Sequence, residues 1–175
     1  MSTIYLIMGV PGCGKSTFAL ALQAKLGGEV VNSDIVREKL IASGVIDKAN
    51  CQDQKYSKLV FEKVHATIDE CAKAGITVYF DATNLEAKHR KKTFNIAKKY
   101  GCPVVGELLL VSREECINRI NKRNNSGNAD HIVKNVPWVV DLYFGFLNTQ
   151  YPTLAEGFTQ LNTYQNGKLI KTEKR

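Results

Sequence analysis

The sequence lacks the features that mark membrane-spanning and secreted proteins. No stretch stays apolar over the ~18 residues that a helical bilayer span needs. The N-terminus has no basic region, and its short apolar run, residues 4–8, leads directly into a glycine-rich segment instead of a cleavage site. We therefore expect a soluble, cytoplasmic protein that has no membrane partner.

Paired cysteines, repeats and linkers are also missing. The five cysteines are odd in number and form no CxxC pair, which argues against a disulfide framework or a zinc site and predicts free thiols. They are Cys13, Cys51, Cys71, Cys102 and Cys116. No internal repeat, low-complexity tract or Pro/Ser-rich linker divides the 175 residues, so we predict one domain over residues 1–175.

Acidic residues are in the minority, with 17 Asp and Glu against 24 Lys and Arg, and the net charge is +7. Residues 88–99 contain no acid but six basic residues, namely Lys88, Arg90, Lys91, Lys92, Lys98 and Lys99. The tail adds Lys168, Lys171, Lys174 and Arg175. A positive surface attracts polyanions, which makes nucleic acid a candidate partner, but a solvated helix face explains the same residues equally well.

Short β-rich runs alternate with helical patterns along the whole chain. This alternation predicts an α/β fold with a mostly parallel sheet of about five strands flanked by helices. The predicted strands are 3–8, 29–32, 76–80, 103–111 and 158–164, with an uncertain edge strand at 168–172, and the predicted helices are 15–26, 34–43, 53–73, 85–100, 113–123 and 137–148. Ligands of such sheets bind beyond the carboxyl ends of the strands. Gly9, Ser33-Asp34 and Asp81 each follow a predicted strand, so we expect them to meet at one edge.

The most specific motif is a GxxxxGKS sequence that follows the first strand and opens the first helix. Its glycines allow backbone N–H groups to surround phosphate oxygens, and the helix N-terminus favours negative charge. We assign Lys15 to the β- and γ-phosphates, Ser16 to Mg²⁺ and Thr17 to the α-phosphate, so ATP and Mg²⁺ are the predicted cofactors. The candidate nucleotide-binding residues are Gly9, Pro11, Gly12, Cys13, Gly14, Lys15, Ser16 and Thr17. Cys13 is either a reactive thiol or a small filler residue.

The class of reaction follows from what accompanies this loop. The segment 121–124 resembles a guanine-reading NKxD sequence only superficially, because it lacks the aspartate, and motors or helicases need longer chains. Small size and α/β alternation favour a small kinase. Asp34 and Arg37 lie three residues apart, on one helix face. A carboxylate that accepts a hydroxyl proton and a guanidinium that holds an anionic acceptor suit phosphoryl transfer, whereas the alternative is a helix cap by Ser33 or Asp34.

Two further segments complete the candidate site. Asp81 follows an apolar strand, which is the position of a carboxylate that holds Mg²⁺ directly or through water. Thr83 and Asn84 are predicted to bind the acceptor or the base, or to cap the next helix. Arg119 and Arg123 share a helix face before the polar segment 124–130. We expect a mobile lid at residues 119–135 that brings arginines to the γ-phosphate, although either arginine could simply solvate a helix end.

These segments, in this order, resemble the 5′-polynucleotide kinase family, which includes a phage kinase module and bacterial RNA-repair kinases. The matching residues are Gly9–Thr17, Asn32-Ser33-Asp34 with Arg37, Asp81-Ala82-Thr83-Asn84-Leu85 with Arg90, and Lys122-Arg123-Asn124. The resemblance covers nearly the whole chain, thins after residue 124 and is compatible with a phage origin. It implies a three-layer P-loop kinase fold with a small helical lid.

The resemblance also implies an activity and roles for residues. The γ-phosphate of ATP would pass to a 5′-hydroxyl of RNA or DNA, with Asp34 as general base and Arg37 on the phosphate 3′ to the acceptor nucleoside. Lys15, Ser16 and Arg123 would serve ATP and the transition state.

The chain departs from the family in two respects. Relatives often carry a second lid arginine, whereas this chain has Ser126-Gly127-Asn128, so Arg119, His131 or Lys134 would have to replace it. The DxDGT motif of a 3′-phosphatase domain is absent, and we predict no phosphatase activity. The competing interpretations are a kinase of a small metabolite, nucleoside or antibiotic, and a regulator that binds nucleotide without catalysis.

Overall fold

The computed structural model describes residues 2–47, 54–126 and 133–175. Its strands are β1 (Ile4–Met8), β2 (Glu29–Asn32), β3 (Val78–Asp81), β4 (Val104–Leu110), β5 (Gln160–Gln165) and β6 (Lys168–Lys174). Its helices are α1 (Lys15–Leu26), α2 (Ser33–Ala42), α3 (Gln54–Lys73), α4 (Ala87–Tyr100), α5 (Arg113–Asn125) and α6 (Val136–Thr149), with a 3₁₀ turn at Leu154–Glu156. Within the described ranges, no helix is long and apolar enough to cross a bilayer.

The six strands form one sheet in the order β2-β3-β1-β4-β5-β6. The first five strands in this order are parallel, and β6 returns antiparallel to β5 through a turn at residues 166–167. The predicted α/β fold with a mostly parallel sheet is therefore confirmed, and the predicted edge strand at 168–172 is its sixth member. The β6 strand carries several lysines, which oppose edge-to-edge pairing with other chains.

The helices cover both faces of the sheet. Side chains alternate along a strand, so Tyr79 and Phe80 of β3 point to opposite faces. The Tyr79 hydroxyl donates to the carbonyl of Gly27 at the end of α1, whereas Phe80 packs edge-on against His65 of α3. The α1 and α3 helices consequently lie on opposite faces, and the fold has three layers around a core in which β1 is fully buried at Ile4 and Leu6 through Met8.

The sheet register brings the three predicted polar segments together at one edge. Asp81 is level with Ile7 of β1 and with Asn32 of β2, so these strands end side by side. The backbone N–H of Gly9 donates to the carbonyl of Thr83 at 3.1 Å, which joins the loop after β1 to the loop after β3. The expected convergence is therefore present in the fold.

Two capping expectations are wrong. Asn32 caps α2, while Ser33 and Asp34 occupy the first turn of that helix, because Asn32 lies in extended backbone where its side-chain oxygen reaches the free N–H groups. Glu86 occupies the cap position of α4 in place of Thr83 or Asn84. Of the predicted lid and polar loop, residues 127–132 lie outside the described residues, including His131.

Candidate active site

The loop between β1 and α1 has a backbone that only glycine adopts readily. Gly12 has φ of +85°, and Gly9 and Gly14 also have positive φ. A Cβ on Gly9 would lie 2.8 Å from the carbonyl oxygen of Leu109, and a Cβ on Gly12 would lie 2.6 Å from that of Cys116. The first glycine is thus fixed by close packing against β4, and the second by close packing against α5.

Cys13 is packed inside this loop. It is buried, and its sulfur lies where a Cβ on Gly9 would clash, at 2.5 Å. The placement favours the filler interpretation of this residue over that of a reactive thiol. The described cysteines are all free, whereas Cys51 lies outside the described residues.

Lys15 and the first helical turn face the space that the loop encloses. The ammonium of Lys15 donates to the carbonyl oxygens of Gly9 at 3.0 Å and Val10 at 3.1 Å, which holds the lysine across the loop. Ser16 and Thr17 are exposed at the N-terminus of α1. A loop with Cβ-free glycines, a lysine folded over it and two accessible hydroxyls fits the phosphates of a nucleoside triphosphate with Mg²⁺.

The α5 helix supplies an arginine to this loop. A Cβ on Gly14 would lie 3.8 Å from Arg119 Nη1, so the guanidinium lies beside the last glycine of the loop. Glu115, one turn earlier, accepts a hydrogen bond from Arg119 Nε at 2.6 Å and orients it. Arg123 lies one turn further along and is exposed. Among the three candidates for the second lid cation, the structure places Arg119 beside the loop, and Lys134 is exposed.

Asn124 ties the two ends of the lid segment together. Its amide nitrogen donates to the carbonyl of Val133 at 3.0 Å, and its oxygen accepts from the N–H of Val133 at 3.2 Å. This pair of bonds connects the last turn of α5 to the residues just before α6. The base of the predicted lid is therefore closed by one side chain.

Asn32 is a site residue that the sequence motifs did not single out by role. Its oxygen accepts from the N–H groups of Asp34 at 2.7 Å and Ile35 at 3.0 Å, while its amide nitrogen donates to Asp81 Oδ2 at 2.5 Å. One amide thus links the predicted Mg²⁺ carboxylate to the helix turn that carries the predicted base. The sequence pointed to Asn32 through the Asn32-Ser33-Asp34 segment, which is one of the segments that resemble the kinase family.

A tyrosine from α6 lies beside the segment that follows β3. Burial raises the pKa of Tyr143, and the Thr83 side chain is hydrogen-bonded to its phenol. The charges of Glu86, Asp34 and Arg37 are near enough to influence the same pKa. Tyr143 of α6 therefore lies beside the loop after β3 and in the neighbourhood of α2. No sequence motif identifies this tyrosine, because only the packing of α6 brings it there.

Asp34 and Arg37 differ in accessibility although they share a helix face. Asp34 is exposed at the first turn of α2, where a carboxylate is also favoured by the helix dipole. Arg37 is buried one turn later. The exposed carboxylate is available to an incoming hydroxyl, and the buried guanidinium is positioned as a wall of the same region.

Asn84 acts as a brace between two strand ends. Its amide nitrogen donates to the carbonyls of Ile7 at 3.0 Å and Phe80 at 3.1 Å, and its left-handed backbone allows this reach. Its buried amide oxygen makes no hydrogen bond among the described residues. The nitrogen is committed to the scaffold, and only the oxygen is left to bind another group.

Arg90 fixes the remaining wall of the site. Its guanidinium is buried and uses all five donors: two to Glu156, one each to the carbonyls of Asn84 and Leu85, and one to that of Gln150, at 2.7–3.1 Å. The ion pair with Glu156 neutralises the buried charge. Arg90 therefore holds the segment after β3 against the segment that follows α6.

A buried carboxyl lies beneath α1. Burial raises the pKa of Glu107 to about 7, although hydrogen bonds from Asn162 and Tyr164 oppose this shift. Tyr164 in turn packs edge-on against Phe18 of α1. The helix that follows the phosphate loop thus packs on a tyrosine that is hydrogen-bonded to this carboxyl.

Solved structures of kinases share this fold. A candidate kinase from Chloroflexus aurantiacus superposes with a TM-score of 0.75 at 15% identity over 94% of this chain and 88% of that one. A chain of the Pnkp1/Rnl/Hen1 RNA repair complex gives 0.69 at 21% identity over 85% of this chain and 45% of that one. A sugar kinase from Janibacter sp. HTCC2649 gives 0.63 at 16% identity over 95% and 86%. At these identities the similarity shows the fold and leaves the acceptor open.

No curated protein shows a significant sequence match to the chain. Residues 4–136, which hold the phosphate loop, Asp34, Asp81, Arg119 and Arg123, match the AAA domain family. The match and the kinase neighbours support a nucleotide-binding phosphotransferase with a P-loop kinase-like fold. Since this match spans well over half of the sequence, the chain belongs to the AAA domain family.

Proposed function

We propose that the protein is an ATP-dependent kinase that transfers the γ-phosphoryl group to a 5′-hydroxyl end of RNA or DNA, with Asp34 as general base. The observation that carries this proposal is the position of Asp34 and Arg37: Asn32 bonds both Asp81 and the first turn of α2, which places this carboxylate and guanidinium at the sheet edge that also bears the phosphate loop. A module that only binds nucleotide has no need of this second cluster.

The donor residues have separate tasks. The loop amides and Lys15 would hold the phosphates, and Arg119 and Arg123 of α5 would neutralise charge on the transferred group. Ser16 and Asp81 would hold Mg²⁺, which prefers oxygen ligands and shares them with substrate phosphates. When bound, ATP and Mg²⁺ supply the transferable phosphoryl group and a Lewis acid. Asn32 would keep the Asp81 carboxylate in its orientation.

The acceptor residues act on the attacking hydroxyl. The exposed Asp34 carboxylate would accept the hydroxyl proton. Arg37 would bind the phosphate 3′ to the acceptor nucleoside, and Thr83 and Asn84 Oδ1 would orient the acceptor. Tyr143 would position Thr83 through their hydrogen bond.

The choice of a nucleic-acid acceptor rests on three supports. They are the motif resemblance, the net charge of +7 and the similarity to a chain of an RNA repair complex. A sugar kinase has the same fold at a similar level of likeness, so a small-molecule acceptor is the alternative to be tested.

A transfer assay with γ-labelled ATP tests the proposal. The acceptors are a 5′-OH RNA, a 5′-OH DNA, the same oligonucleotides with a 5′-phosphate, and a panel of nucleosides, sugars and aminoglycosides. We expect label on the 5′-OH oligonucleotides and none on the 5′-phosphorylated controls. Label on a small molecule with none on either oligonucleotide would replace this function with the metabolite-kinase alternative.

A further inference from the structure

The basic residues of α4 divide into two groups. Arg90 is buried against Glu156, Lys88 pairs with Glu86 at 2.7 Å, and Lys99 pairs with Asp69 at 2.9 Å. The other members, Lys91, Lys92 and Lys98, are exposed and make no ion pair with the described part of the chain. Half of the basic helix is therefore neutralised internally, and the other half presents unpaired charge.

Two of the unpaired lysines line a groove. Lys91 and Lys98 lie seven residues apart, two helical turns, with Asn95 between them on the same face. All three border a cavity of about 600 Å³ between α4 and residues 156–159, and Arg175 closes it from the end of the sheet. Lys92 does not border this cavity, although it lies next to Lys91 in sequence.

The groove carries a net positive charge and a partly apolar floor. Glu156 is an acidic residue of the lining, and Arg90 already neutralises it with two hydrogen bonds. The floor includes Phe94, whose ring packs edge-on against Phe158, and Val104 at the start of β4. Three cations over such a floor suit a ligand with several separated negative charges and some apolar surface.

The groove runs along α4, the helix that follows the candidate site residues after β3. It begins at Ala87, three residues after Asn84, and continues past Lys98 to Cys102. A helix of the length of α4 extends about 20 Å, so this lining spans the distance from the end of the sheet near Asn84 to the opposite end near Cys102. A chain that enters the acceptor site by its 5′ end could continue along this path.

We propose that this groove binds the phosphodiester backbone of a single-stranded acceptor downstream of its 5′ end. Lys91, Lys98 and Arg175 contact phosphates, while Asn95 and Phe94 offer contacts that do not depend on base identity. This inference rests on the proposed nucleic-acid kinase function. In this proposal the unpaired lysines of α4 bind the downstream part of a long acceptor, and the residues at the sheet edge carry out the transfer.

Acceptor length tests the groove. Transfer is measured to a 5′-OH dinucleotide and to a 5′-OH oligonucleotide of about ten nucleotides, a typical single-strand site size. For the wild-type protein we expect a lower KM for the longer acceptor. The double variant Lys91→Gln, Lys98→Gln should raise that KM about tenfold or more, with kcat and the dinucleotide KM unchanged. Its salt slope should fall by about 1.4 in log–log units for two lost phosphate contacts.

A charge-matched control separates the groove from bulk charge. Lys25→Gln with Lys92→Gln removes two exposed lysines that do not line the cavity, and we expect wild-type kinetics. Arg175→Gln supplies a third variant, on another element, that should raise the longer acceptor's KM alone. The groove proposal would be overturned if the wild type and the double variant each had equal KM values for the two acceptors. It would also be overturned if the control variant raised the KM for the longer acceptor as much as the double variant does. No transfer to either oligonucleotide by the wild-type protein would contradict the proposed function itself.

Discussion

The phosphate loop and the proposed acceptor cluster, which comprises Asp34, Arg37, Thr83 and Tyr143, lie at the same sheet edge but are assembled from different amounts of chain. The loop is one continuous segment, residues 9–17, whose shape depends on glycine backbone angles and on close packing against β4 and α5. The acceptor cluster joins α2, the loop after β3 and α6, which are separated by many residues. The first depends on local geometry, and the second on how helices pack.

This difference predicts how each half fails. Damage to the loop should remove nucleotide binding and transfer together, because one segment does both. Damage to the acceptor cluster should remove transfer while nucleotide binding persists, since no residue of that cluster belongs to the loop. Residues that link the halves, such as Asn32, should show smaller, mixed effects.

The largest expected effect separates the two halves most sharply. Asp34→Asn keeps the side-chain shape but cannot accept the hydroxyl proton, so we expect kcat to fall by about 10²–10⁴. Nucleotide affinity, measured by calorimetry, should remain within about twofold. Lys15→Met serves as the donor-side counterpart and should lose both.

The exposed Lys39 on the same helix provides a control, and Lys39→Gln should retain wild-type transfer. A parallel loss of nucleotide binding and transfer in Asp34→Asn would contradict the separation of the halves and the general-base role.

The second effect concerns how the free energy of unfolding depends on the protonation of Glu107. The pKa of Glu107 is about 7 in the folded chain against an ordinary 4.5, because burial favours the neutral acid. Between these values the folded state retains a proton that the unfolded state releases, so stability falls as pH rises. The loss is complete above pH 7 and amounts to about 3 kcal/mol.

Glu107→Gln should remove this loss. In urea denaturation the variant should match the wild type near pH 5 and exceed it at pH 8, whereas Glu29→Gln, an exposed glutamate, should leave the profile unchanged. If the free energy of unfolding of the wild type does not decline between pH 5 and pH 7, the prediction that the buried Glu107 carboxyl is neutral in this range is wrong.

The smallest effect tests the link between the halves. Asn32→Ala removes the cap of α2, which costs about 1 kcal/mol, and leaves Asp81 without its amide donor. Asn32→Asp retains a capping oxygen but places a second carboxylate beside Asp81. We expect both variants to need more Mg²⁺ for half-maximal transfer and only Asn32→Ala to show the full capping loss in thermal unfolding. Unchanged Mg²⁺ dependence in both would remove Asn32 from the site.

Much of the fold and the donor half could be predicted because their signals are local. The predicted boundaries of α1 and β2 coincide with the structure, since a lysine-serine start, a double-glycine stop and a short apolar run each act within a few residues. The caps of α2 and α4 could not be predicted as reliably. Several neighbouring polar residues are equally good caps, and backbone geometry alone selects Asn32 and Glu86.

The acceptor half was predictable only in part. The spacing of Asp34 and Arg37 follows from helix periodicity, but their opposite accessibility does not. The family match also follows the donor residues and α5, and it ends at residue 136, at the start of the helix that carries Tyr143. The sequence pattern alone does not identify Tyr143, because no motif in α6 indicates that this side chain contacts Thr83.

The sequence by itself determined the triphosphate loop, the alternation that yields a parallel sheet and the edge at which polar segments converge, because periodicity and glycine geometry act over neighbouring residues. The tertiary structure alone decided that Tyr143 joins Thr83, that Asn32 connects Asp81 to the first turn of α2, and that Lys91 and Lys98 border a groove while Lys88 and Lys99 are paired. Those contacts join residues that are tens of positions apart, and their energies depend on packing that no single segment encodes.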